Sequence, residues 1–516
     1  MQSRLESKIS NNRVIILLLL MLGASLVLTN HQFPAVDDEC AIIDRAAQPV
    51  GQTLRLYLSG AGEHEHPPLY DLILHGWLCL TSAEMHLLRV PAILCYLLGA
   101  WALASAAKRA AGHRGRAWIL ILFGLWPFGF HFGRLATWYS FCFFLVSLLT
   151  WVYFGYLDRP TLPNWGWVIL CALLLVYSNY FGWVLLGLLA LDIAIRNPRD
   201  LVGHWKRLVA GASLLIFAYL PFLAAFLGEL HRGVHLRHSL LAAAFAGIYN
   251  LYCIFVSESV APWFWALGVP AGSCITACLG ITLWRSAWAV KRFLLYFCIL
   301  LAVMTILDIV ETKRLLFIAP WLILPIGITL ATLPASSIEW RTCVASLAVV
   351  AGVGWYGIFA RSLYAAPHWV EPWPQIAQQA ANVVLSGGIV IGNNPSFFFY
   401  LTYKLPEPHQ PRANRCFWGL LPESSRRTEV YDPQQWLTEG QPLGSTVLLV
   451  QGLHYGTPNG PTEKTERLLS ERCALQGTEK LTPDPGAPWK QRFAPETRQP
   501  LWRVEVSSYA CHYYRP

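Results

Sequence analysis

The sequence predicts an α-helical polytopic membrane protein with about 11 transmembrane helices and a small C-terminal α/β extracytoplasmic domain. Three observations predict it. Of the 516 residues, 55% are hydrophobic and 13% charged, against roughly 25% charged in soluble domains. Uncharged apolar runs of about 20 residues, the length that crosses a hydrocarbon core, recur up to residue 360. Beyond that point the composition changes: 361–516 holds 28 of the 69 charged residues and 18 of the 33 prolines. This balance excludes a soluble enzyme, a disordered scaffold and a nucleic-acid reader. The 23 Trp, 21 Tyr and 25 Phe suit aromatic belts at the two interfaces. The net charge of +9 needs no anionic partner, because cytoplasmic loops carry surplus Lys and Arg.

The apolar runs are 14–30, 90–107, 117–133, 135–157, 160–191, 208–228, 262–284, 293–307, 315–338 and 342–360. The first has a basic flank but no small-residue cleavage site, so it reads as an anchor rather than a signal peptide. The run 160–191 is too long for one span. Asn179, Tyr180, Phe181 and Gly182 at its middle predict two short spans joined by a tight turn. Orientation follows from Lys and Arg placement. Arg4, Lys8 and Arg13 precede the first span, and Lys108, Arg109, Arg114 and Arg116 follow the second. Arg196, Arg199, Lys206 and Arg207, then Arg285, Lys291 and Arg292, follow later spans. Placing these clusters together on the cytoplasmic side makes the N-terminus cytoplasmic and puts 31–85, 132–134, 229–261, 311–314 and the tail outside. The run 241–257 must not cross under this scheme, and it reads as an interfacial or re-entrant helix.

In the tail, 375–385 has helical spacing, while 387–392 and 446–451 read as buried strands. The chain therefore divides into a membrane domain, 1–360, and an extracytoplasmic domain, 361–516. None of the 13 cysteines forms a CxxC pair, so neither a zinc knuckle nor a redox pair is suggested. Cys416, Cys473 and Cys511 lie in the polar tail, either as three thiols or with two of them in a disulfide.

The chemistry-bearing residues gather at the outer boundary. Asp37, Asp38 and Glu39 come directly after the first span, where partial desolvation raises a carboxylate toward the basicity a general base needs. The bland alternative is an acidic triplet that solvates a loop. Glu63, His64, Glu65 and His66 precede Pro67 and Pro68, which stiffen the chain and hold His66 and Tyr70 in fixed directions. Two His and two Glu in a loop are a weak metal signal, and metal dependence stays open. Arg134, followed by Tyr139, is the only charge in the 41 residues from 117 to 157. A guanidinium at that depth either snorkels or grips a phosphate through its paired donors. Lys313 and Arg314, at the outer ends of two spans, offer a second cationic pair or a juxtamembrane anchor. Asp192, near an inner helix end, reads as a snorkelling carboxylate.

An Asp-Glu pair after the first span, an acidic loop and then His66-Pro67-Pro68-Leu69-Tyr70 resemble the polyprenyl-phosphate-dependent glycosyltransferases of the GT-C superfamily. The likeness is to the protein mannosyltransferase and aminoarabinose transferase type. Leu88-Arg89-Val90-Pro91 resembles the family's Arg-Leu-Pro-Ser. Arg134 with Tyr139 resembles its Arg-x-Tyr, with the aromatic displaced. The turn within 177–182 resembles its short mid-run turn, and Lys313-Arg314 resembles its Arg-Tyr, with Leu315 in place of Tyr. Residues 373–381 and 388–400 resemble its outer α/β tail.

The resemblance implies inverting transfer of a sugar from a polyprenyl-phosphate donor to a lipid, glycan or protein acceptor outside the cytoplasm, by a multi-pass plasma (inner) membrane enzyme. Asp38 aligns with the family's catalytic acid as general base, with Asp37 the runner-up and Glu39 beside it. Arg134, Lys313, Arg314 and His66 become donor-phosphate residues. His64, Glu65, Tyr70 and Tyr139 become acceptor or loop residues. The resemblance leaves a divalent metal open and names no other cofactor. The competing readings are a lipid-linked saccharide transporter, which should carry ionisable or broken helices mid-span in paired halves, and a catalytically silent envelope scaffold.

Overall fold

The computed structural model describes residues 16–30, 37–59, 66–81, 85–196, 198–233, 239–260, 262, 264–307, 311–360, 373–386, 389–392, 397, 401, 417–418, 446–454, 460–481 and 502–511. They fall into two compact units, one drawn from Met1–His31 and Gln48–Ala360, the other from Gln32–Ala47 and Arg361–Pro516. The segment carrying the acidic triplet thus groups with the C-terminal unit rather than with the helices on either side of it in sequence.

The first unit is helical. Its elements are α1 (Ile16–Leu28), α3 (Val50–Ser59), α4 (Leu69–Leu78), α5 (Val90–Leu125), α6 (Pro127–Phe132), α7 (Trp138–Asp158), α8 (Leu162–Val176), α9 (Gly182–Arg196), α10 (Pro198–Tyr219), α11 (Leu223–Gly233), α12 (Leu240–Val256), α13 (Trp265–Arg285), α14 (Trp288–Ile306), α15 (Pro320–Thr332) and α16 (Ile338–Ala360); α2 belongs to the other unit. Six helices are long and apolar enough to cross a membrane, and five shorter apolar helices accompany them. Together they cover every span expected from the sequence, with α12 in addition.

Local chemistry sets the breaks. α5 holds two expected spans that part at Ala111 and Gly112. Gly112 has φ of 66°, a left-handed conformation that a residue without Cβ adopts freely. The expected span 117–133 ends early, at Leu125, because Trp126 is extended ahead of Pro127. The expected span 315–338 likewise begins late, with a 3-10 turn over Thr312–Phe317 before Pro320 opens α15. The turn expected inside 160–191 lies between α8 and α9, where the Asn179 side-chain carbonyl accepts the Phe181 N–H at 2.8 Å. α15 is apolar around its whole circumference and is buried along nearly its whole length, the mark of a central helix. It packs on α5, which in turn packs on α7. Gly99 makes the second contact close, since a Cβ there would meet the Phe143 ring at 2.5 Å.

The second unit contains α2 (Asp37–Ala46) and a five-stranded mixed sheet. Its strands are β1 (Ile389–Gly392), β2 (Phe417–Trp418), β3 (Thr446–His454), β4 (Cys473–Leu481) and β5 (Trp502–Cys511), in spatial order β2-β1-β3-β5-β4. β1 pairs in parallel with β2 and β3, while β5 is antiparallel to β3 and β4. Both faces of β3 are buried. Leu448 and Val450 pack with Ile376, Ala380 and Val384 of α17 (Trp373–Leu385), whereas Val447 and Leu449 pack with Leu469 of α18 (Gly460–Arg472). Alternating residues thus serve opposite helices, as strand period 2 requires. Cys473 is disulfide-bonded and stands opposite Cys511 in the register of β4 and β5. A maleimide added to intact, unfolded protein is expected to leave Cys473 unlabelled until a reductant is present. Labelling without reductant contradicts this pairing.

Candidate active site

The C-terminal end of α1 is held by two buried arginines. Thr29 donates its hydroxyl to Ser25 O at 2.7 Å, so its oxygen is left to accept. Arg134 Nη1 donates to that oxygen at 2.9 Å, and Arg134 Nε and Nη2 donate to Phe130 O at 3.1 and 3.0 Å. Its guanidinium lies 4.1 Å over the Phe130 ring. Arg89, just ahead of α5, donates from Nη1 to both Asn30 O and Asn30 Oδ1 at 3.1 Å. Asn30 Nδ2 donates to His86 O at 3.1 Å. Both arginines are 0% exposed. Arg134 does not snorkel: its fork is wrapped by the protein and anchors Thr29, eight residues before Asp37. Arg89 appears in the sequence only as part of a motif, and its role here had no separate sequence signal.

Pro67 and Pro68 lead into α4 as expected. His66 Nδ1 is 2.9 Å from Pro67 O, so it carries the proton on that side. Its Nε2 faces Asp71 Oδ1 at 3.8 Å, and Tyr57 donates to Asp71 Oδ2 at 2.8 Å. The His66 ring lies 5.6 Å from Trp138, which lies 4.5 Å from Tyr139. His66, Tyr70, Asp71 and Tyr139 are all buried. Asp71 is a site-forming residue that the sequence reading did not single out, because one Asp in an apolar helix start has no local signature. Glu63, His64 and Glu65 lie outside the described residues. Among the described residues, no group of three His, Cys, Asp or Glu is placed to hold a metal ion.

The 3-10 turn Thr312–Phe317 carries the second cationic pair. Lys313 Nζ is 3.2 Å from Glu311 Oε2, Arg314 Nε is 3.3 Å from the same oxygen, and Arg314 Nη2 is 3.3 Å from Oε1. Lys313 and Arg314 therefore converge on one anion position, now taken by a half-exposed carboxylate. Facing this turn is the end of α12. Ser257 and Glu258 both have positive φ, 67° and 53°. Left-handed backbone costs a non-glycine residue roughly 1–2 kcal/mol, so two in succession mark a segment held by its surroundings. Ser259 supplies part of that hold, its Oγ lying 2.5 Å from Val256 O and 2.9 Å from Gly354 O of α16. The bend directs Glu258 onto the Thr312 hydroxyl.

In the second unit, the acidic triplet opens α2. Glu39, Ile42, Ile43 and Ala46 are buried and share one helix face by their spacing. Asp38 falls off that stripe and is partly exposed. Glu39 is thus held within the packing of that face, while Asp38 has partial access to solvent. Asp37 lies in the same first turn.

Asp192 departs from the snorkelling expectation. Its carboxylate is 2.8 Å from Arg292 Nη1, accepts from Tyr296 at 2.9 Å and accepts from Tyr153. Both ions are buried. Two other helices, α7 and α14, supply partners that sequence distance concealed, and a paired buried charge has no reason to reach for water.

No protein-family model and no curated protein matches the chain. Among solved structures, the chain is similar to ArnT from Cupriavidus metallidurans in the apo state, with a TM-score of 0.59 at 14% identity, covering 96% of this chain and 98% of that one. The fold is that of ArnT. The same protein bound to undecaprenyl phosphate aligns with a TM-score of 0.56 at 13% identity, over 95% of this chain and 97% of ArnT. The likeness runs through both units, and the helical membrane bundle with a small C-terminal α/β unit expected from the sequence is the fold observed.

Proposed function

We propose that the chain is a membrane glycosyltransferase that moves a sugar from a polyprenyl-phosphate donor to an acceptor on the extracytoplasmic side, with inversion at the anomeric carbon. The observation that carries this reading is the convergence of Lys313 and Arg314 on one anion position in the turn before α15, in a chain whose fold is shared with an ArnT that binds undecaprenyl phosphate. Asp38 takes the proton of the attacking acceptor. The acceptor's electron pair forms the new bond to the anomeric carbon as the bond to the phosphate oxygen breaks. The departing lipid phosphate is a weak base, so it needs charge stabilisation more than protonation. Lys313 and Arg314 supply that charge after Glu311 yields its place. Arg134 adds fixed positive charge and holds the end of α1, and His66 orients the phosphate or the acceptor.

The location follows the same reading: the plasma membrane, with a cytoplasmic N-terminus and an extracytoplasmic second unit. The Lys and Arg asymmetry of the loops supports it, and so does the disulfide at Cys473, since such bonds persist in oxidising compartments. Binding of undecaprenyl phosphate to the purified chain tests the donor site. Lys313→Ala and Arg314→Ala are each expected to raise its Kd by about tenfold, the effect of one charge-assisted contact. Wild-type affinity in the double variant removes the pair from the site.

A further inference from the structure

The contacts of Thr312 set a proton-counting problem. Its hydroxyl oxygen lies 3.0 Å from Asn250 Oδ1 and also within hydrogen-bond distance of Glu258 Oε1. The Asn250 amide is oriented independently, because its Nδ2 donates to Ala246 O at 2.8 Å. Oδ1 is therefore the atom that faces Thr312, and it can only accept. A hydroxyl has one proton. If Glu258 were ionised, Thr312 would face two acceptors with one proton, and one short oxygen–oxygen contact would hold no hydrogen. A protonated Glu258 closes the chain: Glu258 donates to Thr312, Thr312 donates to Asn250, and Asn250 donates to Ala246. Burial pushes the Glu258 carboxyl up in the same direction, and Glu311 adds to this, while the Thr312 hydroxyl and Lys313 act against it.

We infer that Glu258 is a positioning residue of the proposed donor site, a neutral carboxylic acid that pins Thr312 and so sets the turn carrying Lys313 and Arg314 without taking up their charge. This rests on the lipid-phosphate reading of that pair. A neutral Glu258 leaves Lys313 to a phosphate. An ionised one adds an anion beside Lys313 and withdraws the proton that Thr312 receives. The left-handed backbone at Ser257 and Glu258 is what brings the carboxyl onto the turn. Among the described residues, the titratable groups facing it are Lys313 and Glu311 on the turn and Tyr249 and Cys253 on α12. His131 lies on α6, which packs against α12. α13, α14 and α16 also pack against α12. They carry their charged residues, Arg285, Lys291, Arg292, Glu339 and Arg341, at the ends away from Ser259 and Gly354.

The test compares the wild-type chain with Glu258→Gln, which keeps shape and a donor but cannot ionise. Kd for undecaprenyl phosphate in detergent micelles is measured from mildly acidic to mildly alkaline pH. Ionisation of the lipid itself is common to both proteins and cancels in their ratio. The two are expected to bind alike at the acidic end. At the alkaline end the wild type should bind about tenfold more weakly than Glu258→Gln, the effect of one lost charge-assisted contact. The infrared difference spectrum of the two proteins should show the C=O stretch of a carboxylic acid at neutral pH. A Kd ratio that does not change with pH, or a carboxylate band in place of the acid band, overturns the inference. Should Glu258→Gln fail to fold, Thr312→Val removes the hydroxyl at nearly constant shape and should shift the acid band. An unmoved band overturns the inference. Absence of lipid binding in every form, with the acid band present, overturns the lipid-phosphate reading and the donor-positioning role, and leaves the protonated Glu258 standing.

Discussion

Asp38→Asn is expected to lower the rate of sugar transfer by about 10²–10⁴-fold, the usual contribution of a positioned general base, while leaving insertion and Tm unchanged. The substitution keeps the shape and removes only the basicity. Its tolerance follows from position and shape: Asp38 lies off the buried stripe of α2 and is partly exposed, and Asn keeps the size of the side chain and one accepting oxygen. Glu39→Gln makes the contrast. Glu39 is 0% exposed on the stripe it shares with Ile42, Ile43 and Ala46, so the change should lower Tm more than it lowers kcat. Asp37→Asn tests the register of the doubled aspartate, and it should retain most of the turnover. Wild-type kcat in purified Asp38→Asn, or full loss in Asp37→Asn alone, would move the base assignment to Asp37.

Asp192→Ala is expected to destabilise the protein by about 3–5 kcal/mol, because it strands the Arg292 guanidinium in a buried site without its carboxylate. It also removes the acceptor that Tyr153 and Tyr296 share. The physical cause is desolvation: the ion pair is tolerable inside the bundle only while both charges are present. The double variant Asp192→Leu with Arg292→Met should recover most of the loss, since apolar residues of similar size in place of a buried pair are often neutral or stabilising. Thermal unfolding in detergent checks both. An unchanged Tm in Asp192→Ala would mean that water reaches Arg292. Because this network contains none of the proposed reaction residues, residual transfer by the folded fraction of Asp192→Ala should remain near normal.

Much of the fold is legible in the sequence because the membrane imposes a length and a polarity on each span. The uninterrupted apolar character of α15 and the Asn179 turn between α8 and α9 follow directly from that constraint. Helix ends are less legible. Pro127 and Pro320 stop or start helices inside runs that hydropathy alone treats as continuous. The site residues divide in the same way. Lys313, Arg314 and His66 stand out as polar groups at helix ends, where hydropathy is broken. Asp71, Arg89 and Glu258 do not, since their meaning comes from partners far along the chain: Tyr57, Asn30 and Thr312. The grouping of the acidic helix with the C-terminal unit has no sequence signature either, because the chain on either side of it belongs to the membrane bundle. Asp192 shows the same limit from the other side, as a carboxylate near a helix end whose three partners lie on two other helices.

The central claim is that the chain transfers a sugar from a lipid phosphate at the outer membrane face. The most direct measurement is transfer of radiolabelled sugar from a panel of polyprenyl-phosphate sugars, in membranes that hold the wild-type chain beside membranes that lack it. The account predicts that label leaves one donor for an acceptor only where the chain is present, with the free lipid phosphate released in equal amount. No transfer from any donor, with the protein inserted and extracted membrane lipids, glycans and proteins supplied as acceptors, would contradict it.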